Sequence, residues 1–202
     1  MEIIGKKNLN RDFKSLTDEE LIKEFQDNNT LAAYETLVKR YKDSLMNFVY
    51  RFVGDREAAI DIVQDTMVKF YLKKDSYQTI AKFSTWLYTI AANLAKNEIK
   101  RRKRRSFISL NQTNEDGPNV QVSDSKVVDP VRSAHNSLMD EDIQKALLKV
   151  KPVYREMVIL RDIEGFSYEE IAEMKNMSLG TVKSRINRGR NQLKKLLLKY
   201  YE

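Results

Sequence analysis

The chain has 202 residues, 42% of them hydrophobic, with only 6 glycines and 3 prolines and no cysteine. That apolar content argues against wholesale disorder, and the scarcity of Gly and Pro disfavours turn-rich sandwiches and barrels. A net charge of +7 calls for an acidic partner (nucleic acid, an anionic membrane surface or an acidic protein), while the lack of cysteine excludes disulfides, thiolate metal sites and thiol catalysis.

Met1 to Asn10 is polar and lacks the apolar core of a signal peptide. The longest uncharged run, Phe83 to Ala95, is too short and too polar to span a bilayer. The expectation is a cytoplasmic protein with no membrane insertion of its own, whose residues 1–15 form an N-terminal tail.

Helical periodicity is strong from Thr17 onward. Leu16, Leu21, Ile22 and Phe25 open an amphipathic segment, with Thr17 as N-cap and Glu20 completing a capping box. Leu37, Tyr41, Leu45, Phe48 and Phe52 form the core stripe of a second helix, which Gly54–Asp55 ends. A third helix, from about Arg56, turns Ala59, Ile62, Val63, Thr66 and Phe70 one way. Glu57, Asp61 and Asp65 repeat every four residues on another face, as a solvated surface or as the docking face for a basic partner.

Lys73 to Lys82 reads as a polar loop, after which Ser84 is expected to cap a helix with Trp86, Leu87, Ile90, Ala91 and Leu94 inward. That helix runs into Lys96, Lys100, Arg101, Arg102, Lys103, Arg104 and Arg105. Aromatic side chains (Tyr77, Phe83, Trp86, Tyr88) leading into a basic run suit unpaired bases beside a charged backbone. Trp86 reads better as core, and Tyr77 with the polar groups of its loop as the base contact. Residues 106–133, holding Gly117–Pro118, Asp129–Pro130 and many Asn, Ser and Asp, read as a flexible linker. The fold class is therefore all-α: two small helical domains, 16–105 and 134–202, joined by that linker.

In the second domain one helix covers Leu138 to Val150, and Pro152 starts another that runs to about Asp162. Ser167 and Glu170 form a capping box for a short helix, and Ser178 caps the last one, which reaches about Leu198. Ala172 is the small residue where two helices cross, Asn176 fits a left-handed turn, and Val182 locks the second helix onto the first. With Ile171 and Ile186 in its core, this is a helix-turn-helix. Thr181, Lys183, Ser184, Asn187, Arg188 and Arg190 project from the last helix. Lys183, Ser184, Asn187 and Arg188 are base-edge candidates, and Arg185, Arg190 and Lys194 suit phosphates or surface charge.

Asp55-Arg-Glu-Ala-Ala-Ile-Asp-Ile-Val-Gln-Asp-Thr66 with Phe83-Ser-Thr-Trp-Leu-Tyr-Thr-Ile-Ala-Ala-Asn93 resembles the first module of bacterial sigma factors. Tyr168-Glu-Glu-Ile-Ala172 with Gly180-Thr-Val-Lys-Ser-Arg-Ile186 resembles their last module. Two modules with only a linker between them resemble the small extracytoplasmic-function group, over roughly Leu16 to Leu198. The resemblance implies a transcription initiation factor that takes RNA polymerase core to promoters. Asp61, Gln64 and Asp65 would dock on the clamp helices of its largest subunit, and the second module would meet the polymerase flap. The loop from Asp75 to Lys82, with Tyr77 and Lys82, would capture a flipped base of the −10 element, and Asn93, Lys96, Asn97, Lys100 and Arg101 would grip the adjoining duplex. Thr181, Lys183, Ser184, Asn187, Arg188 and Arg190 would meet the −35 element. Primary sigma factors carry two adjacent tryptophans where this chain has Trp86 and Leu87, so strand opening would lean more on the loop. An anti-sigma partner is implied as well.

Neither a cofactor nor a metal site is expected, nor catalysis. His135 is the single histidine, no glycine-rich phosphate loop is present, and Glu169–Glu170 is explained by capping. A stand-alone helix-turn-helix regulator is the alternative, although the first domain, with an acidic stripe beside a basic helix and no evident pocket, has the wrong features for it.

Overall fold

A computed structural model describes the backbone of residues 12–112 and 134–201, and side chains over 12–105 and 140–198. The expected tail to residue 11, the segment 113–133 and the side chain of His135 lie outside the described residues. The order is α1 (Asp18–Asn28), α2 (Leu31–Val53), α3 (Arg56–Lys73), a 3-10 turn (Lys74–Ser76), α4 (Phe83–Gln112), α5 (Ala134–Lys149), α6 (Pro152–Val158), a π turn (Ile159–Ile163), α7 (Tyr168–Lys175) and α8 (Leu179–Tyr201). No strand occurs among the described residues, as an all-α fold requires.

The local signals act as their chemistry dictates. Thr17 accepts from the Glu20 N–H while the Glu20 side chain accepts from the Thr17 N–H, so two otherwise orphaned donors of α1 are satisfied together. The first helix ends at Asn29 and the second at Gly54, both in left-handed geometry, which short polar or missing side chains tolerate. Asp55 then caps α3 by accepting from Ala58 N–H at 2.8 Å, and this bond holds its carboxyl below the usual range.

Leu37, Leu45, Phe48 and Phe52 of α2, and Ala59, Ile62, Val63, Thr66 and Phe70 of α3, are buried together, with Tyr41 half-buried beside them. Large apolar side chains of this kind each stabilise by roughly 1.5–3 kcal/mol on full burial. The α4 helix crosses both α2 and α3, burying Leu87 and Ala91, with Trp86, Ile90 and Leu94 half-buried. It continues to Gln112, past the point where the sequence suggested a linker.

The second face of α4 is where the two modules meet. Tyr88, Ala92 and Ala95 are buried, and α7 packs on this helix. The Tyr88 ring lies 4.8 Å from Phe166, and its hydroxyl donates to Glu164 at 2.7 Å. On the other side α5 and the 152–163 segment pack on α2. There Leu148 fills the space a side chain at Gly54 would need: a Cβ would lie 2.5 Å from Leu148 Cδ2. Gly54 therefore serves both the turn and the approach of the second module. The cores of the two modules form one continuous cluster.

Candidate nucleic-acid and partner interfaces

The helix-turn-helix is built from the expected residues. Ser167 and Glu170 form the capping box of α7, and Asn176 closes that helix at φ 47° and ψ 56°. Met177 N–H then bonds to Ala172 O at 3.0 Å, fixing the tight turn. Ser178 Oγ accepts from Thr181 N–H at 3.3 Å to begin α8. Ile171, Val182 and Ile186 are buried between the helices. A further contact, silent in the sequence, sits at Gly189, where a Cβ would lie 2.5 Å from Val158 Cγ2 and 3.0 Å from Tyr154 O. Glycine there lets α8 press directly on the α6 backbone.

This packing turns Lys183, Ser184, Asn187 and Arg188 outward, all four exposed on one side of α8. Lys183 Nζ lies 5.7 Å over the Tyr168 ring, and Arg188 reaches the Tyr154 hydroxyl at 3.5 Å. Two of the expected contacts are otherwise engaged. Thr181 is half-buried, with its hydroxyl 2.9 Å from Ser178 Oγ in the cap. Arg190 forms two bonds to Asp162, at 2.9 and 2.5 Å, which raise its pKa.

In the first module Asp61, Gln64 and Asp65 are exposed on the outer face of α3, opposite its buried stripe. No cation among the described residues pairs with Asp61 or Asp65. Ile60, Val68 and Leu72 lie on the same helix with 41%, 55% and 72% of their surface exposed. The face is thus acidic and apolar together, suited to a basic, partly apolar partner helix.

On α4, Asn93, Asn97, Lys100 and Arg101 are exposed. They fall three or four residues apart and so share a side of the helix. Arg101 also pairs with Glu98 at 2.6 Å. Lys96 and Lys82 are instead met by carboxylates of the second module. Lys96 Nζ lies 3.6 Å from Glu156 Oε1, and the buried Lys175 pairs with the same carboxylate. Lys82 Nζ lies 2.8 Å from Glu170 Oε1, which raises the lysine's pKa. Burial opposes the charge on Glu170, yet Lys82 and the Ser167 N–H outweigh it and leave that carboxyl below its ordinary value.

Tyr77 stands differently from its expected position against a base. It is 5% exposed, its ring packs on Phe83 and Trp86, and its hydroxyl donates to Ala81 O at 2.8 Å. Phe83 and Tyr88 are buried too. The exposed groups of the loop are Gln78, Thr79, Ile80 and Lys82. Nor does Ser84 cap α4, because that helix starts at Phe83, whose N–H is held by Glu19 of α1 at 3.2 Å. A cap delivered from 64 residues away leaves no local signature.

A helix-turn-helix with an open basic face, beside a helical module bearing a separate acidic face, is the arrangement of a DNA-binding protein. The sigma-70 region 2 family model matches residues 37–105, and that of sigma-70 region 4 matches residues 140–193. The ECF RNA polymerase sigma factor SigE of Mycolicibacterium smegmatis is 35% identical over 174 residues, 86% of this chain and 65% of that protein. This chain thus spans just under two thirds of SigE's length. SigW of Bacillus subtilis, another ECF RNA polymerase sigma factor, is 34% identical over 167 residues, 82% of this chain and 89% of that one. Among solved structures, the sigma factor RpoE in complex with the anti-sigma factor NepR from Bartonella quintana superposes with a TM-score of 0.62 at 28% identity. That match covers 81% of this chain and 96% of RpoE. The chain belongs to the sigma-70 family, in its ECF group: it is an RNA polymerase sigma factor, a transcription initiation factor.

Proposed function

We propose that the chain directs RNA polymerase core to promoters by dividing the work among three surfaces. The exposed acidic and apolar face of α3, with Asp61, Gln64 and Asp65, docks on the clamp helices of the largest subunit. Loop 77–82 captures an unpaired base of the −10 element, and Asn93, Lys96, Asn97, Lys100 and Arg101 hold the flanking duplex. Lys183, Ser184, Asn187 and Arg188 read the −35 element in the major groove, with Thr181 and Arg190 at the margin of that contact and the flap supporting the second module.

The observation that carries this reading is the separation of charge: an acidic face on α3 that is unpaired among the described residues, and basic or polar rows on α4, partly open, and on α8. A stand-alone regulator has no use for the first. Promoter engagement requires Lys82 and Lys96 to exchange Glu170 and Glu156 for DNA phosphates, so the contact between modules must yield when core binds. An anti-sigma factor, the kind of partner seen with RpoE, is the further partner this reading assigns. The protein works in the cytoplasm, where core polymerase is, and carries out no chemistry of its own. Among the described residues no helix is long and apolar enough to cross a membrane.

The test is selection from a promoter library at near-physiological salt, with and without bacterial RNA polymerase core. A two-part sequence at fixed spacing, enriched only with core, is the expected result. Equal enrichment by the protein alone would sink the reading and leave a conventional regulator, because a few phosphate contacts give chiefly salt-sensitive, non-specific affinity.

A further inference from the structure

Loop 77–82 is held at both ends by one helix, α1. At its start, the Gln26 side-chain amide donates to the carbonyls of Lys74 (2.7 Å) and Tyr77 (3.1 Å). At its far end, Glu19 accepts from the Phe83 N–H at 3.2 Å. Lys74 returns the contact: its ammonium donates to Phe25 O at 2.8 Å, Gln26 O at 3.1 Å and Asn29 Oδ1 at 2.6 Å, and lies 4.7 Å over the Phe25 ring. Phe25 O also accepts from the Asn29 N–H at 3.1 Å, whereas Gln26 O, in the last turn of α1, is met by the root of the loop. Within the loop, the Tyr77 hydroxyl ties Ala81 O across the turn.

What this bracing leaves outside is Gln78, Thr79 and Ile80, all exposed, with Ile80 at 87%. A loop laced at both ends with an apolar side chain at its tip is shaped before any ligand arrives. Preformed contact groups escape the ordering cost that a flexible loop meets on binding.

We propose that Gln26 and Glu19 are positioning residues for base capture: they fix the two ends of loop 77–82 so that Gln78, Thr79 and Ile80 stand ready against an unpaired base. The inference rests on the loop being the base-capturing segment. Gln26 is the sharper of the two, because it donates twice to backbone carbonyls. A carboxylate of the same shape cannot donate, whereas an ammonium can.

The test uses holoenzyme reconstituted with bacterial RNA polymerase core and a fluorescent single strand carrying the non-template −10 segment recovered with core. Gln26→Glu should weaken capture of that strand about tenfold, as expected for lost preorganisation, with affinity for core and for −35 duplex unchanged. Gln26→Lys should restore most of the capture. In the full chain without core, the emission of Trp86, its single tryptophan, 5.6 Å from the Tyr77 ring, should change in Gln26→Glu and return in Gln26→Lys. Unchanged capture by Gln26→Glu overturns the inference. So does a parallel fall in core affinity and melting temperature, which would make Gln26 a support of the fold alone. If wild-type holoenzyme fails to capture the strand, base capture by this loop falls, and the inference with it.

Discussion

Helices α4 and α8 both carry rows of Lys, Arg and Asn, and the fold treats them in opposite ways. On α8, Lys183, Ser184, Asn187 and Arg188 face outward because Val182, Ile186 and Gly189 occupy the side turned to α6 and α7. On α4 the row is only partly open, since Lys96 lies against Glu156, and Lys82, just ahead of the helix, against Glu170. Residue type is similar in the two rows, so what differs is the neighbour. A basic side chain is open to a new partner only where the tertiary structure leaves it without a carboxylate, and among the described residues Lys183 and Arg188 of α8 meet that condition.

The largest effect should come from the carboxylate that occupies α4. Glu156 is buried with Lys175, whose pKa burial lowers. Glu156→Gln strands the Lys175 ammonium away from water and should cost about 3 kcal/mol or more, seen as a lower melting temperature. A double change, Glu156→Gln with Lys175→Met, should recover most of that loss, because replacing both charges removes the stranded one. If the double variant melts no higher than the single one, the pair does more than neutralise itself.

Next in size is the contrast between the rows. Alanine at Lys183 or Arg188 should remove about 1–3 kcal/mol of discrimination at the −35 element and leave other sequences less affected. The pair Lys100→Ala and Arg101→Ala should instead weaken all sequences alike and reduce the salt slope by about 2. Holoenzyme titrations at several salt concentrations measure both. Equal loss across sequences in the α8 variants would place that helix on the backbone only.

The smallest effect is a pH dependence at the contact between modules. Burial raises the Glu164 carboxyl above its ordinary value, against the opposing bonds from Tyr88 and Asn47. Its charge therefore costs the folded state at neutral pH, and the cost disappears as pH falls through the raised value. Glu164→Gln keeps an acceptor for the Tyr88 hydroxyl without the charge. It should melt slightly higher than wild type at pH 7, with the gap closing as pH falls to the ordinary carboxylate range. Asp55 has the opposite sign: its depressed carboxyl stabilises above the ordinary range and is lost as pH falls below it. A gap that widened in mild acid would mean that Glu164 is favoured as the anion.

Much of this molecule was decided within a few residues of chain. The capping boxes at Thr17 and Ser167, the left-handed Asn176, the stripe of α2 and the acidic row of α3 depend on backbone geometry and helical period, both local. For that reason the helices, the helix-turn-helix and its outward residues could be read directly from the letters. Tertiary structure alone decided which of those residues are available. Tyr77 looked like a base contact until the Phe83 and Trp86 rings enclosed it, Arg190 looked open until Asp162 met it, and the cap of α4 came from Glu19 rather than Ser84. Gly54 reads in the sequence only as a helix break and Gly189 carries no signal there, yet Leu148 and Val158 fill the space beside them. Each depends on a partner remote in the chain, and a hydrogen bond or packed contact formed across such a distance leaves no period or spacing in the sequence.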